Sequence, residues 1–193
     1  MPKINLIGVG GTNGSGKDTV GQMLAQRHGW LFVSVSDLLR DEARRRGQPV
    51  EREVLRSISA QWRRQFGLGV LVDKAVEQFK EAGGKYYGVV AVPMRNPGEA
   101  QHVKDLGGLL VWVDADPKIR YQRIYSRKRS AEDNKTYQQF LAEEQAEMRH
   151  SGDQATLNMS GVKAISDILL QNDSNDIEAF KNSAEQALKQ YLW

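Results

Sequence analysis

Along the chain, short uninterrupted apolar runs rich in Val, Ile and Leu alternate with longer stretches whose apolar positions recur every three or four residues. The runs fall at 4–9, 31–35, 86–92, 109–113 and 165–170, and each has the length of a strand. The intervening spacing predicts helices over 17–28, 37–46, 51–66, 69–82, 97–106, 117–128, 136–149 and 175–191. A strand without polar alternation is covered on both faces, and strands separated by helices run parallel. The pattern therefore predicts an α/β protein with three layers, α/β/α, around a five-stranded parallel sheet. In the helix over 51–66, Val54, Leu55, Ile58, Trp62 and Phe66 share a stripe, as do Ile177, Phe180, Ala184, Leu188 and Tyr191 in the last helix. Both stripes are expected to be core.

The punctuation agrees with this division. Gly83-Gly84 and Gly107-Gly108 stand where a left-handed cap ends a helix before the next strand, and Asp116-Pro117 reads as an N-cap with proline in the first turn. Residues 130–135 and 151–161 are polar and weakly patterned, so a lid or mobile insertion over about 120–161 is expected within a single domain.

Composition narrows the class. A chain of 193 residues with 40% hydrophobic and 26% charged residues fits one globular unit, and no apolar stretch is long enough to span a membrane. Met1-Pro2-Lys3 leads straight into the first strand rather than into a leader pattern, so a cytoplasmic location is expected. The absence of cysteine excludes disulfides, thiolate nucleophiles and cysteine metal sites, and three widely spaced histidines argue against zinc. Net charge is only +3, but its placement is uneven: eight arginines lie within 40–64 against four acids, and six basic residues within 117–129 against none. Most of these, Arg44 to Arg46 above all, are expected on solvated helix faces, with a few free to clamp phosphate.

The sharpest signal is Gly11-Thr12-Asn13-Gly14-Ser15-Gly16-Lys17-Asp18-Thr19, set between the first strand and the first helix. Glycines there let backbone N–H groups turn around a polyphosphate, the helix contributes its positive end, and Lys17 adds a charge near the β and γ phosphates. All nine residues are therefore candidate ATP contacts in a P-loop NTPase fold. Position 18 carries a carboxylate where a hydroxyl usually ligates Mg²⁺, which makes Asp18 the candidate metal ligand. In an open parallel sheet ligands sit at the carboxyl ends of the strands, which here present Asp37 and Arg40, Arg95 and Asn96, Asp114, and Asn172 with Asp173. Arg120, Arg123 and Arg127 share one helix face.

The P-loop, the segment Val33-Ser34-Val35-Ser36-Asp37-Leu38-Leu39-Arg40, the strand ending in Arg95 and the Arg123-x-x-x-Arg127 helix together resemble the adenylate-kinase-like nucleoside monophosphate kinases. The Gly-Lys-Asp-Thr variant and Met94-Arg95-Asn96-Pro97-Gly98-Glu99 resemble deoxynucleoside monophosphate kinases more, and the last third is similar to dephospho-coenzyme A kinases. The resemblance implies that Arg40 and Arg95 hold the acceptor phosphate, that Asp37 faces the acceptor, and that Arg123 and Arg127 reach the triphosphate from a lid. Lys17, Asp37, Arg95, Arg123 and Arg127 are then the candidate catalytic residues, with ATP and Mg²⁺ as cofactors. One family carboxylate, four residues before the acceptor arginine, is replaced by Ala91, and Asp18 is expected to take over its task.

Loose phosphoryl-transfer transition states call for positioning and positive charge rather than a nucleophile, which is what this chain offers. The expected activity is transfer from ATP to a nucleoside monophosphate or similar phosphorylated small molecule, with no nucleic-acid or membrane partner. A regulatory NTPase is the competing class, supported by Asp18 and Ala91. A nucleic-acid-binding NTPase is disfavoured because aromatics are sparse among the arginines. Base selectivity in the acceptor rests on hydrogen bonds that backbone groups can supply, and these leave no mark in the sequence.

Overall fold

A computed structural model describes residues 5–127, 135–149 and 151–192, with Arg127 described by its backbone alone. Five strands, β1 (Leu6–Gly11), β2 (Leu31–Ser34), β3 (Val89–Met94), β4 (Leu109–Asp114) and β5 (Ile168–Gln171), form one parallel sheet in the order β2-β3-β1-β4-β5. β1 lies at the centre, and every one of its residues is buried. Because side chains alternate across a strand, the apolar runs divide between two cores. Leu6, Val89, Ala91, Met94, Leu110 and Trp112 face one, while Ile7, Val9, Val90, Val92, Val111 and Val113 face the other.

The first core is closed by α2 (Val35–Arg45), α3 (Arg52–Phe66), α4 (Val70–Glu81), α5 (Pro97–Asp105) and, further along the chain, α8 (Met159–Ala164). The second is closed by α1 (Lys17–His28) and α9 (Ile177–Leu188), through Val20, Met23 and Leu24 on one helix and Phe180, Ala184 and Leu188 on the other. The remaining helices, α6 (Pro117–Arg127) and α7 (Tyr137–Met148), follow β4 and pack on each other through Tyr121, Tyr137 and Phe140. The expected three-layer α/β/α arrangement is the one observed. No helix among the described residues is long and apolar enough to cross a membrane.

Departures from the sequence pattern have local causes. α2 starts two residues earlier than the spacing predicts because Ser34 caps it, its Oγ accepting the Asp37 N–H at 3.2 Å. The polar stretch 151–161 does not stay loop-like throughout: Asn158 caps α8 by accepting the Gly161 N–H at 3.0 Å, and Ala155, Met159 and Val162 are buried. The helix ends at Ala164 and a turn over 165–167 follows it, so β5 begins only at Ile168. Phe66 and Ile177, expected in core stripes, are 58% and 61% exposed. Each is the terminal residue of its helix and has stripe neighbours on one side only. Asp116 caps α6 as expected, accepting the Lys118 N–H at 2.8 Å.

Candidate active site

Residues 12–16 link β1 to α1 and are held from behind. Arg120 donates to the Asn13 carbonyl at 3.4 Å, Arg123 to the Gly14 carbonyl at 3.3 Å and Asn172 Nδ2 to the Ser15 carbonyl at 2.8 Å. In a planar trans peptide the N–H points opposite to the carbonyl it follows, so the N–H groups of Gly14 and Gly16 are directed away from these donors. That is the geometry of an anion nest. Gly14 and Gly16 have φ of 80° and 99°, and a Cβ would lie 2.8 Å from the Arg120 carbonyl at Gly14 and 2.5 Å from Asn172 Nδ2 at Gly16. Only glycine fits either place. Ser15 Oγ is buried without a hydrogen-bond partner, which leaves it able to donate to a phosphate oxygen. Lys17 is 6% exposed, and its Nζ donates to the Thr12 carbonyl at 3.3 Å, over the mouth of the loop. These features together fit a polyphosphate.

A cleft of about 810 Å³ runs from the loop toward α2 and α3. Lys17 and Asp18 line it together with Arg40, Arg52, Arg56 and Arg95, and Glu147 of α7 joins the wall. The structure thus places Lys17, Asp18, Arg40 and Arg95, all singled out in the sequence, along one cleft. Arg40 donates to Asp37 at 2.6 Å. Burial pushes the Asp37 carboxyl up, but hydrogen bonds from Arg40 and Ser34 and the Arg40 charge outweigh it and hold the group below the usual carboxylate range.

A family described as an AAA domain matches residues 7–150, about three quarters of the chain. A UPF0200 protein from Saccharolobus islandicus is 31% identical over 192 residues, covering 98% of this chain and 95% of its own. The chain belongs to the AAA-domain family and to the UPF0200 proteins. A second UPF0200 protein, from Thermococcus sibiricus, is 29% identical over 174 residues, with 88% and 87% of the two chains covered. Among solved structures, shikimate kinase from Bacteroides thetaiotaomicron superposes with a TM-score of 0.58 at 13% identity, over 95% of this chain and 98% of the other. At that identity the likeness shows a shared fold alone. The family shown is therefore UPF0200, and neither monophosphate kinases nor dephospho-coenzyme A kinases are among these matches.

In this UPF0200 protein several residues singled out in the sequence sit elsewhere than expected. Asp37 is not part of the cleft wall and touches it only through Arg40, because the capped start of α2 turns its carboxylate along the helix. Arg123 is also outside the wall: its guanidinium donates to the carbonyls of Asn172 at 3.0 Å and Ser174 at 2.6 Å as well as Gly14, so it clamps the loop to the segment after β5. Arg120 is buried against Glu144 and the Ala115 carbonyl. The side chain of Arg127 lies outside the described residues. Arg44, Arg45 and Arg46 pair with Asp41 and Glu42 on the helix surface, as expected. Asn96 caps α5 and latches the 154–156 backbone, donating to the Gln154 and Thr156 carbonyls at 2.7 Å each.

Sequence reasoning gave no role of their own to Arg56, Arg63, Glu99 or Glu147. Arg63 of α3 and Glu99 of α5 form a buried ion pair at 2.7 Å, and Glu99 also accepts the Arg95 N–H at 3.3 Å, so the pair fixes the backbone from which Arg95 reaches the cleft. Glu147 takes Arg56 on one oxygen and Arg95 on the other, the latter at 3.1 Å. Burial raises the Glu147 carboxyl, but Arg95, Arg56 and Arg52 together pull it below its ordinary value.

Asp114, at the end of β4, ties the loop to α8. It accepts from Thr12 Oγ1 at 2.9 Å and from Lys163 Nζ at 2.9 Å, and also takes the Ala115 N–H at 3.0 Å. Burial raises its carboxyl, while the hydrogen bonds from Lys163 and Thr12 and the Lys163 charge outweigh that and leave it lowered. A carboxylate lowered in the folded state contributes stability above the unfolded value of about 3.9 and loses it as pH falls through the folded value. Asp114→Asn is expected to cost about 1 kcal/mol at neutral pH, and the gap between the two proteins should close below pH ~4. Urea midpoints measured from pH 3 to pH 7 check this, and a gap that does not change with pH counts against it.

Proposed function

We propose that this protein is an ATP-dependent phosphotransferase whose acceptor is a small phosphorylated molecule of the nucleoside monophosphate kind. One observation carries the reading: a single cleft is lined both by the P-loop lysine and by arginines from α2, α3 and the end of β3. An NTPase that only hydrolyses needs the lysine and not that set of arginines. Bound ATP with Mg²⁺ would supply the phosphoryl group and a divalent charge against it. The chain's own part is positional and electrostatic. The Gly14 and Gly16 N–H groups, Ser15 Oγ and Lys17 would hold the β and γ phosphates, while Arg40, Arg56 and Arg95 would fix an anionic acceptor in line. Arg123, through its hold on the Gly14 carbonyl, keeps the loop in shape instead of reaching the phosphates.

The reading is tested by following phosphoryl transfer from ATP to a panel of monophosphates beside ATP loss without any acceptor. Acceptor-dependent turnover supports it. Slow loss of ATP that no acceptor accelerates overturns it in favour of the regulatory NTPase, the reading that Ala91 and Asp18 favour.

Asp18 would hold the ion. It is exposed, lines the cleft beside Lys17, and no cluster of three or more His, Cys, Asp or Glu residues suited to a metal exists among the described residues. Mg²⁺ commonly takes one carboxylate from the protein and the rest of its shell from phosphates and water, which matches a lone Asp18. In Asp18→Ala, the Mg²⁺ concentration giving half-maximal activity is expected to rise on the order of tenfold. An unchanged metal dependence removes Asp18 from this role.

A further inference from the structure

The best-formed anion site in the cleft is the one filled by the protein's own carboxylate. Glu147 is buried at the inner end of α7, two turns beyond Phe140, and these are the buried residues of that helix. One carboxylate oxygen accepts from Arg56 of α3 and the other from Arg95 at the end of β3, with Arg52 close enough to add its charge. Arg52 itself reaches Glu143 on the same helix, one turn earlier, at 3.2 Å. α7 therefore meets the cleft through the Glu147 carboxylate, while Phe140 packs on Tyr121 and Tyr137 and Met148 on the first core. Two guanidiniums from different elements, each giving one N–H to one oxygen of a single carboxylate, form a seat for a compact oxyanion.

We propose that Arg56 and Arg95 are the seat for the acceptor's oxyanion, and that Glu147 is a tethered occupant which the acceptor must displace. The inference deepens the phosphotransferase reading and rests on it for the word acceptor. It narrows the acceptor's contacts from Arg40, Arg56 and Arg95 to Arg56 and Arg95, which converge on one buried carboxylate, whereas Arg40 pairs with an exposed Asp37 on its own helix. It also couples entry to movement. An incoming phosphate or carboxylate cannot share these two guanidiniums with Glu147 without like charges in contact, so α7 has to swing its inner end away as the site fills. Glu147 thereby sets specificity: an uncharged acceptor has nothing with which to replace it.

The probes are inorganic phosphate and acetate, titrated into the full-length protein. Binding is measured calorimetrically in a Lys17→Met background, which weakens competing uptake at the P-loop. Glu147→Gln in that background should bind phosphate on the order of tenfold more tightly, because the displaced charge is gone. Adding Arg56→Met should abolish the gain. Acetate gaining as much as phosphate points to a carboxylate acceptor, and phosphate gaining more points to a phosphorylated one; either supports the seat. No gain for either ion overturns it. Where Glu147→Gln does not fold, amide exchange in the wild-type protein decides the matter: phosphate should accelerate exchange over residues 137–148, and binding that leaves α7 unchanged overturns the proposal. The two readings fail separately. Acceptor-dependent turnover with no Glu147 effect sinks only the seat, while a clear Glu147 effect in a protein that transfers nothing sinks only the transferase.

Discussion

In the Lys17→Met protein, phosphoryl transfer from ATP is expected to fall by roughly 100-fold or more, on the order of 3 kcal/mol of lost transition-state stabilisation. Methionine keeps most of the aliphatic stem and deletes only the ammonium, so the packing of a side chain that is nearly buried changes little. The loss is therefore electrostatic. Lys17 Nζ has the Thr12 carbonyl as one partner and sits over the concave side of a loop whose Asn13, Gly14 and Ser15 carbonyls are all engaged from outside. A cation held there in advance needs no reorganisation when charge builds on the migrating group, which is why one charge is worth this much. The fall should appear mainly in kcat, with a smaller rise in KM for ATP, because the ammonium gains most where charge develops. Thermal stability should be nearly unchanged. Turnover within about threefold of wild type would mean that the loop does not cradle the reacting phosphates.

The P-loop was legible because its chemistry is local: nine consecutive residues between a strand and a helix specify the turn, the helix end and the charge together. The layers were legible for a similar reason, since burial on both faces forces unbroken apolar strands. The wall of the cleft was not. Arg56 meets Glu147 across 91 positions and Arg63 meets Glu99 across 36, and neither pairing leaves a periodic trace. Helix spacing correctly placed Arg120 and Arg123 on one face, but spacing says nothing of what faces them. The carbonyls of the loop and of the segment after β5 took Arg123, and Glu144 took Arg120. α8 escaped notice because six residues are too few to show a helical period, and its start is set by the Asn158 cap and the burial of Met159 and Val162.

The largest loss of stability is expected from Arg63→Met. Arg63 and Glu99 have side chains 2% and 0% exposed, and Arg63 Nε and Nη2 both reach one Glu99 oxygen, at 2.8 and 2.7 Å. Arg63 Nη1 also donates to the Ala155 carbonyl at 2.8 Å, so a single guanidinium joins α3, α5 and the segment leading to α8. Breaking a buried pair from one side leaves a charge that water cannot reach, and such losses run to about 3–5 kcal/mol. In a domain of this size that corresponds to a melting temperature lower by on the order of 10 °C. Removing both charges is a different case. Arg63→Met with Glu99→Leu should recover most of the loss, because the desolvation cost of the surviving carboxylate disappears with it. Recovery of stability need not bring back acceptor binding. The double variant no longer accepts the Arg95 N–H, so Arg95 loses the anchor that aims it into the cleft, and KM for the acceptor should stay raised while KM for ATP returns to normal. Calorimetric melting of the single and double variants, with both KM values for each, separates the pair's part in stability from its part in holding Arg95. A single variant that melts within about 2 °C of wild type would show that the pair does not carry stability, and an unchanged acceptor KM in the double variant would show that it does not hold Arg95.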